Sequence, residues 1–198
     1  MLRTSLVALA ATVAAVATTA PAAALTASPT GTYNEAGSQP IFQTTSTRQS
    51  WACTLTSSSF TLAADGTATY ASGAGTFTGC NNTIFGPINP AQATAWSSAF
   101  TLAPSGSDTL VTQTITVPTG GLVWNYTAGC RPTFNGTITR TRLESGSAPV
   151  TISPVEQLTQ TAALTADNVS GCPALLITLG LRITFNSPYS FSRALTLG

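Results

Sequence analysis

The chain has 198 residues, enough for one domain and too few for two ordinary domains with linkers. Only 7% of residues are charged: all seven basic residues are Arg, there are six acids, and there is no Lys and no His. Without His there is no Ser-His-Asp or Cys-His arrangement and no imidazole metal ligand; without Lys there is no Schiff base and no Walker lysine.

Arg3, the apolar run Leu6 to Ala17 and the Ala22-Ala23-Ala24 motif read as a secretory signal peptide over residues 1–24, too short for a membrane span. The remainder, 25–198, then carries six Arg and six acids, net charge near zero. That balance argues against nucleic acid and against electrostatic membrane attachment. Thr (37) and Ser (20) dominate, which suits strands with one solvated face.

From residue 25 the pattern predicts one β-domain. Residues 25–48, rich in Thr, Ser, Gly and Pro, read as a leading strand or a loose N-terminal arm. Trp51, Cys53 and Leu55 share a strand face, followed by Phe60 and Leu62. Asp65-Gly66 is the strongest hairpin signal, with Thr67 to Tyr70 as the return strand. Ser105 to Asp108 and Gly120-Gly121 read as turns bracketing a strand from Leu110 to Val117. Leu122, Trp124 and Tyr126 share the next apolar face. Leu175, Ile177, Leu179, Leu181, Ile183 and Phe185 alternate at period two and predict a long strand buried on one face, with Gly180 as a bend or bulge. Asn89-Pro90-Ala91-Gln92 and Ser153-Pro154-Val155-Glu156 resemble capping boxes and admit one or two short helices, at 90–98 and 154–163. The predicted fold is an all-β, disulfide-stapled β-sandwich of about ten strands.

Cys53, Cys80, Cys130 and Cys172 are an even set in an exported chain and imply two disulfides. Cys53–Cys80 with Cys130–Cys172 is preferred among three pairings, because each bond then ties neighbouring strands. Paired C-x2-4-C spacings for zinc are absent. With the thiols oxidised, carboxylate chemistry is what survives. Each acid has a structural reading. Asp65, Asp108 and Asp167 fit turns, Glu144 sits beside Arg142, Glu156 fits a capping box, and Glu35 reads as solvated. Arg140 and Arg142 read as a solvated strand face. Asp167-Asn168 offers oxygen ligands without EF-hand spacing. No catalytic, cofactor or metal residue is assigned, and no enzyme is expected. Trp51, Trp96, Trp124 and Tyr126 read as core, whereas Tyr33, Tyr70 and Tyr189 are candidates for a surface that stacks on sugars.

Cys53-Thr54-Leu55-Thr56, Ala64-Asp65-Gly66-Thr67, Phe77-Thr78-Gly79-Cys80, Trp96 and the Cys130 and Cys172 pair, in this order over residues 50 to 185, resemble the small secreted proteins called activators of alkane oxidation. The resemblance implies an exported, non-catalytic β protein linked to surface life or growth on hydrophobic substrates. The expectation is therefore a secreted or envelope-associated protein that acts at hydrophobic interfaces or in surface and matrix association, with self-association open. The alternative is a carbohydrate-binding module, which would present at least two aromatic rings exposed in a row.

Overall fold

The computed structural model describes residues 24–37, 41–44, 49–82, 86–126, 129–173 and 177–198. The signal peptide expected over 1–24 therefore lies almost wholly outside the described residues. The described chain is all β, with sixteen strand elements and no helix among them.

Most of these elements belong to eight long antiparallel passes. The first holds β2 (Gly31–Gly37) and β3 (Ile41–Thr44), the second β4 (Ser50–Ser57) and β5 (Ser59–Leu62), and the third β6 (Thr67–Tyr70) and β7 (Thr76–Asn81). The fourth holds β8 (Ile88–Gln92) and β9 (Trp96–Ser105). Then come β10 (Asp108–Tyr126), β11 (Arg131–Glu144) and β13 (Leu158–Ser170), and the eighth pass holds β14 (Arg182–Asn186) and β15 (Pro188–Phe191). Each pass pairs with the one before and the one after it. The eighth returns to the first through β14–β3 and β15–β2, so the sheet closes with its passes in chain order. Phe42 meets Trp124, and Phe60 meets Phe100, across the interior. The result is a sandwich whose two walls join along both edges, which leaves these passes without a free sheet edge. A small sheet of β1 (Ala27–Ser28), β16 (Leu195–Leu197) and β12 (Val150–Ile152) adds Ala27, Val150, Ile152, Leu195 and Leu197 to the core.

Period-two alternation drives the passes. In β13, Leu158, Gln160, Ala162, Leu164 and Ala166 point inward, while Thr159, Thr161 and Ala163 are exposed. Disulfides Cys53–Cys80 and Cys130–Cys172, with Cα–Cα separations of 4.1 and 4.5 Å, tie β4 to β7 and the start of β11 to the end of β13. Both sit in one half of the sandwich, beside an aromatic cluster of Phe42, Trp51, Phe77, Trp124, Tyr126 and Phe134. The other half holds Tyr33, Phe60, Tyr70, Trp96, Phe100 and Phe191. Asp65-Gly66 forms the expected hairpin turn, Gly66 at φ +77° and Asp65 Oδ1 accepting the Thr67 amide at 3.0 Å.

Five local expectations change. Residues 31–37 and 41–44 are not a loose arm, since Tyr33 and Phe42 are fully buried in β2 and β3. Gly120-Gly121 is no turn. It lies within β10, where the register shifts between Val117 and Leu122 and Gly120 takes φ +68°. The 90–98 segment is no helix but the end of β8 and the start of β9, broken at 93–95, because Ile88, Pro90 and Gln92, then Trp96 and Ser98, alternate inward against β10 and β6. At 153–156 one of the two capping-box bonds forms, Ser153 N–H donating to Glu156 Oε2 at 2.6 Å, while Glu156 N–H donates to the Ser153 backbone carbonyl at 3.1 Å, a turn bond and not the second bond of the box. They close only a turn, since the inward set from Leu158 onward places the following residues in the sheet. The long strand from Leu175 begins only at Arg182. Gly180, at φ +79°, donates to Ala166 O, Leu179 is 67% exposed, and Leu175 and Leu176 lie outside the described residues.

Candidate functional site

The most concentrated chemistry lies inside, where sequence reading places no candidate. Gln113, Arg140 and Gln160 stand directly opposite one another on β10, β11 and β13, all pointing inward. Arg140 Nε donates to Gln160 Oε1 at 2.7 Å, and its Nη1 to Gln113 Oε1 at 3.2 Å and to the Tyr70 hydroxyl at 3.1 Å. Its guanidinium also pairs with the Glu35 carboxylate and lies 4.1 Å from the centre of the Tyr189 ring. Glu35 further accepts from Tyr70 Oη at 2.7 Å and from Ser58 Oγ at 2.6 Å. Gln113 Nε2 donates to Ser98 Oγ and to Tyr70 Oη, both at 3.1 Å. Strands from both walls and the Ser58 junction thus converge on one ion pair.

Two sequence expectations fail together here. Glu35 is not solvated and Arg140 is not on a solvated face: their side chains are 0% and 5% exposed. The driving fact is parity, because Tyr33 fixes Glu35 on the inner face of β2 and Ile138 fixes Arg140 on that of β11. Burial is the largest influence on Arg140 and opposes its charge, and the Glu35 carboxylate together with Tyr70 and Tyr189 outweighs it, holding the guanidinium pKa above its ordinary value. Burial also raises Tyr70 well above the usual phenol range and pushes Tyr189 up to about 12, with Arg140 partly opposing both. Tyr33, Tyr70 and Tyr189, the surface candidates, are at most 2% exposed. Every described Trp and Tyr is buried, so the described residues present no row of exposed rings.

The other acids are engaged as well. Arg142 pairs with Glu144, and its Nη2 with Glu156 at 2.7 Å, as a part-exposed triad at the end of β11. Asp108 sits at the β9–β10 turn and accepts from Ser107 Oγ at 3.3 Å. Asp167 lies within β13, not in a turn; its two oxygens accept from Thr133 Oγ1 and, at 2.8 Å, from the Gly120 amide, which pins the β10 bulge. Among the described residues no three His, Cys, Asp or Glu stand together as a metal would need. No two carboxylates flank a described pocket, which is the arrangement a two-acid hydrolase requires. Among the described residues no helix is long and apolar enough to cross a membrane.

The outer wall around the ion-pair half has a different character. One register row runs Thr32, Thr61, Thr69, Ser97, Thr116, Thr137 and Ala163 across seven passes. A second runs Thr67, Ala99, Thr114, Thr139 and Thr161, and a third Thr101, Thr112, Thr141 and Thr159. All are exposed or half-buried and none is charged. Neighbouring hydroxyls are about 5 Å apart across strands and about 7 Å along them. The Thr content and its alternation are plain in the sequence, but not that the rows align. Comparison with protein-family models, curated proteins and solved structures finds no match for this chain.

Proposed function

We propose that this chain is a non-enzymatic exported protein of the cell envelope or cell surface, which sets its uncharged hydroxyl wall against extended surfaces, hydrophobic interfaces or matrix. The observation that carries the reading is that wall: three aligned rows of Thr, Ser and Ala without a charge, over a core that absorbs the described Trp and Tyr rings. Two disulfides fit maturation in an oxidising compartment, in line with the leader-like residues 1–24. An uncharged wall carries no long-range repulsion toward another neutral surface, and Thr methyls and hydroxyls meet apolar and polar groups alike. The alternative, a carbohydrate-binding module that stacks sugars on aromatic rings, lacks such rings on the described surface.

The test is co-sedimentation of the protein with purified cell wall and with an alkane emulsion. Saturable association is expected, and it should fall when charges are set into the wall by Thr114→Glu with Thr139→Glu. A hydrolase activity abolished by replacing one acid with its amide would overturn the reading, as would association unchanged by the charged wall.

A further inference from the structure

One end of the sandwich carries an apolar trough. Between the β9–β10 hairpin and the loop after β11 lies a cavity of about 550 Å³, and a second of about 350 Å³ adjoins it at Leu102 and Ala148, which line both. Leu25, Phe100, Leu102, Pro104 and Ala148 supply its carbon surface. On the outer face Ala103, Leu110 and Leu143 continue that surface as one register row, Leu143 being 51% exposed. Here the hydroxyl wall gives way to carbon. Asp108 lines one end of the trough, and at the other Asp65 precedes the Gly66 turn that packs on Leu25. Neither acid is paired with an arginine among the described residues.

The disulfide half presents the counterpart. Leu179 tops the turn before β14 and is 67% exposed, while Ile177 and Leu181 on either side of it are anchored in the core. Gly180 N–H donates to Ala166 O and Leu181 N–H to Thr178 O, which fixes the turn against β13, and the exposed Arg182 follows it. The register Ala166–Phe134–Leu122 puts this turn roughly 35 Å from the Asp108 hairpin along β10, so the two surfaces cannot meet within one molecule.

Charge follows the same division. Outside the buried Glu35–Arg140 pair, the half with the trough holds Asp65, Asp108, Glu144 and Glu156 against Arg142 and Arg193, a net negative set among the described residues. The disulfide half holds Arg131 and Arg182 against Asp167, a net positive one. Two trough ends brought together would set acid against acid, and two Leu179 ends would set arginine against arginine. The opposed pairing joins unlike charges and buries a leucine in a carbon-lined trough.

We propose that the protein associates head to tail with further copies of itself, the Leu179–Arg182 turn of one copy seated in the trough between Asp65 and Asp108 of the next. The contact uses two different surfaces, so it does not close on a dimer and extends into linear assemblies. Resting on one leucine and a few charges, it is weak, with a Kd on the order of 100 µM. The inference goes beyond the surface reading and uses none of the three hydroxyl rows.

Sedimentation velocity of the disulfide-bonded protein, from about 10 µM to about 1 mM, tests it. The expected result is an average mass that rises with concentration past that of a dimer. Leu179→Glu at the exposed turn and Ala103→Arg at the trough mouth should each hold the protein monomeric while circular dichroism stays unchanged. Mixed in equal amounts, the two variants should form a heterodimer and nothing larger, because Leu179→Glu keeps a working trough and Ala103→Arg a working turn. Thr114→Glu with Thr139→Glu should assemble like the unaltered protein while losing wall association, which separates this contact from the surface reading. An unaltered protein that stays monomeric throughout, or that stops at a dimer, would overturn the proposal. So would undiminished assembly in either single variant, no heterodimer in the mixture, or loss of assembly in the variant with the charged wall.

Discussion

Arg140→Met removes the cation from the centre of the sandwich and leaves the Glu35 carboxylate, 0% exposed, facing Tyr70, Ser58 and a thioether. Breaking a buried ion pair from one side costs about 3–5 kcal/mol, because the surviving charge keeps its desolvation penalty without its partner. The guanidinium's hydrogen bonds to Gln160, Gln113 and Tyr70 disappear as well, which acts in the same direction. Replacing both members, Arg140→Met with Glu35→Gln, removes both charges and still offers Tyr70 and Ser58 an acceptor. The double variant should therefore be more stable than Arg140→Met alone, by about 2 kcal/mol. Urea unfolding reads both effects. With a slope of about 2 kcal/mol per molar, the Arg140→Met midpoint falls by about 2 M and the double variant recovers about half of that. The reasoning fails if Arg140→Met moves the midpoint by less than about 0.5 M. It fails equally if the double variant loses the sum of the two single losses, since the pair would then not be coupled.

Alkaline pH should act through the buried phenols. Tyr33, Tyr70, Tyr126 and Tyr189 all have raised pKa values, burial being the leading cause in each. The folded state thus holds protons that an unfolded chain releases near pH 10, so their contribution is complete below that pH and is lost as pH rises through the folded values. An absorbance titration should show phenolate appearing together with loss of the fold; early, independent ionisation of the four would refute the burial. Replacing both cysteines of either disulfide by Ser should cost about 3–4 kcal/mol in unfolding free energy, given loops of 27 and 42 residues. A loss near zero for either would show that its bond constrains little. Gly136→Ala should cost more than about 2 kcal/mol, because φ is +139° and a Cβ would stand 2.3 Å from Ala163 O on the neighbouring strand. Gly146→Ala, at φ +87° with open space around it, should cost about 1 kcal/mol. Thermal unfolding of the pair gives the order, and equal losses would show that the close approach of β11 and β13 is not rigid.

Alternation along the chain is enough to determine much of this protein. Trp51 and Cys53, Leu122, Trp124 and Tyr126, and Trp96 with Phe100 are buried as their parity requires, and Asp65-Gly66 turns where two residues tolerant of positive φ meet. The hydroxyl wall is the other face of the same alternation. What parity could not supply is which face is inward when the marker is polar. Glu35 follows Tyr33 by two, Arg140 follows Ile138, and Gln113 lies between Val111 and Ile115, so each polar residue sits on an apolar face. That is the one local sign that could have found the cluster. A buried charge becomes tolerable only when its partner arrives, and the partners here are 105 residues apart in sequence. The same separation of scales governs the helix-like and strand-like segments. Ser153–Glu156 makes one capping-box bond and a turn bond, yet neighbouring strands claim the residues after it, and Gly180 ends an alternation that local pattern alone would have continued. Sequence therefore determined the buried faces, the Asp65-Gly66 turn and the even set of cysteines. Closure of the sheet, alignment of the Thr rows and assembly of the Glu35–Arg140 pair were decided by tertiary structure, because each requires registers between strands that no short stretch of chain encodes.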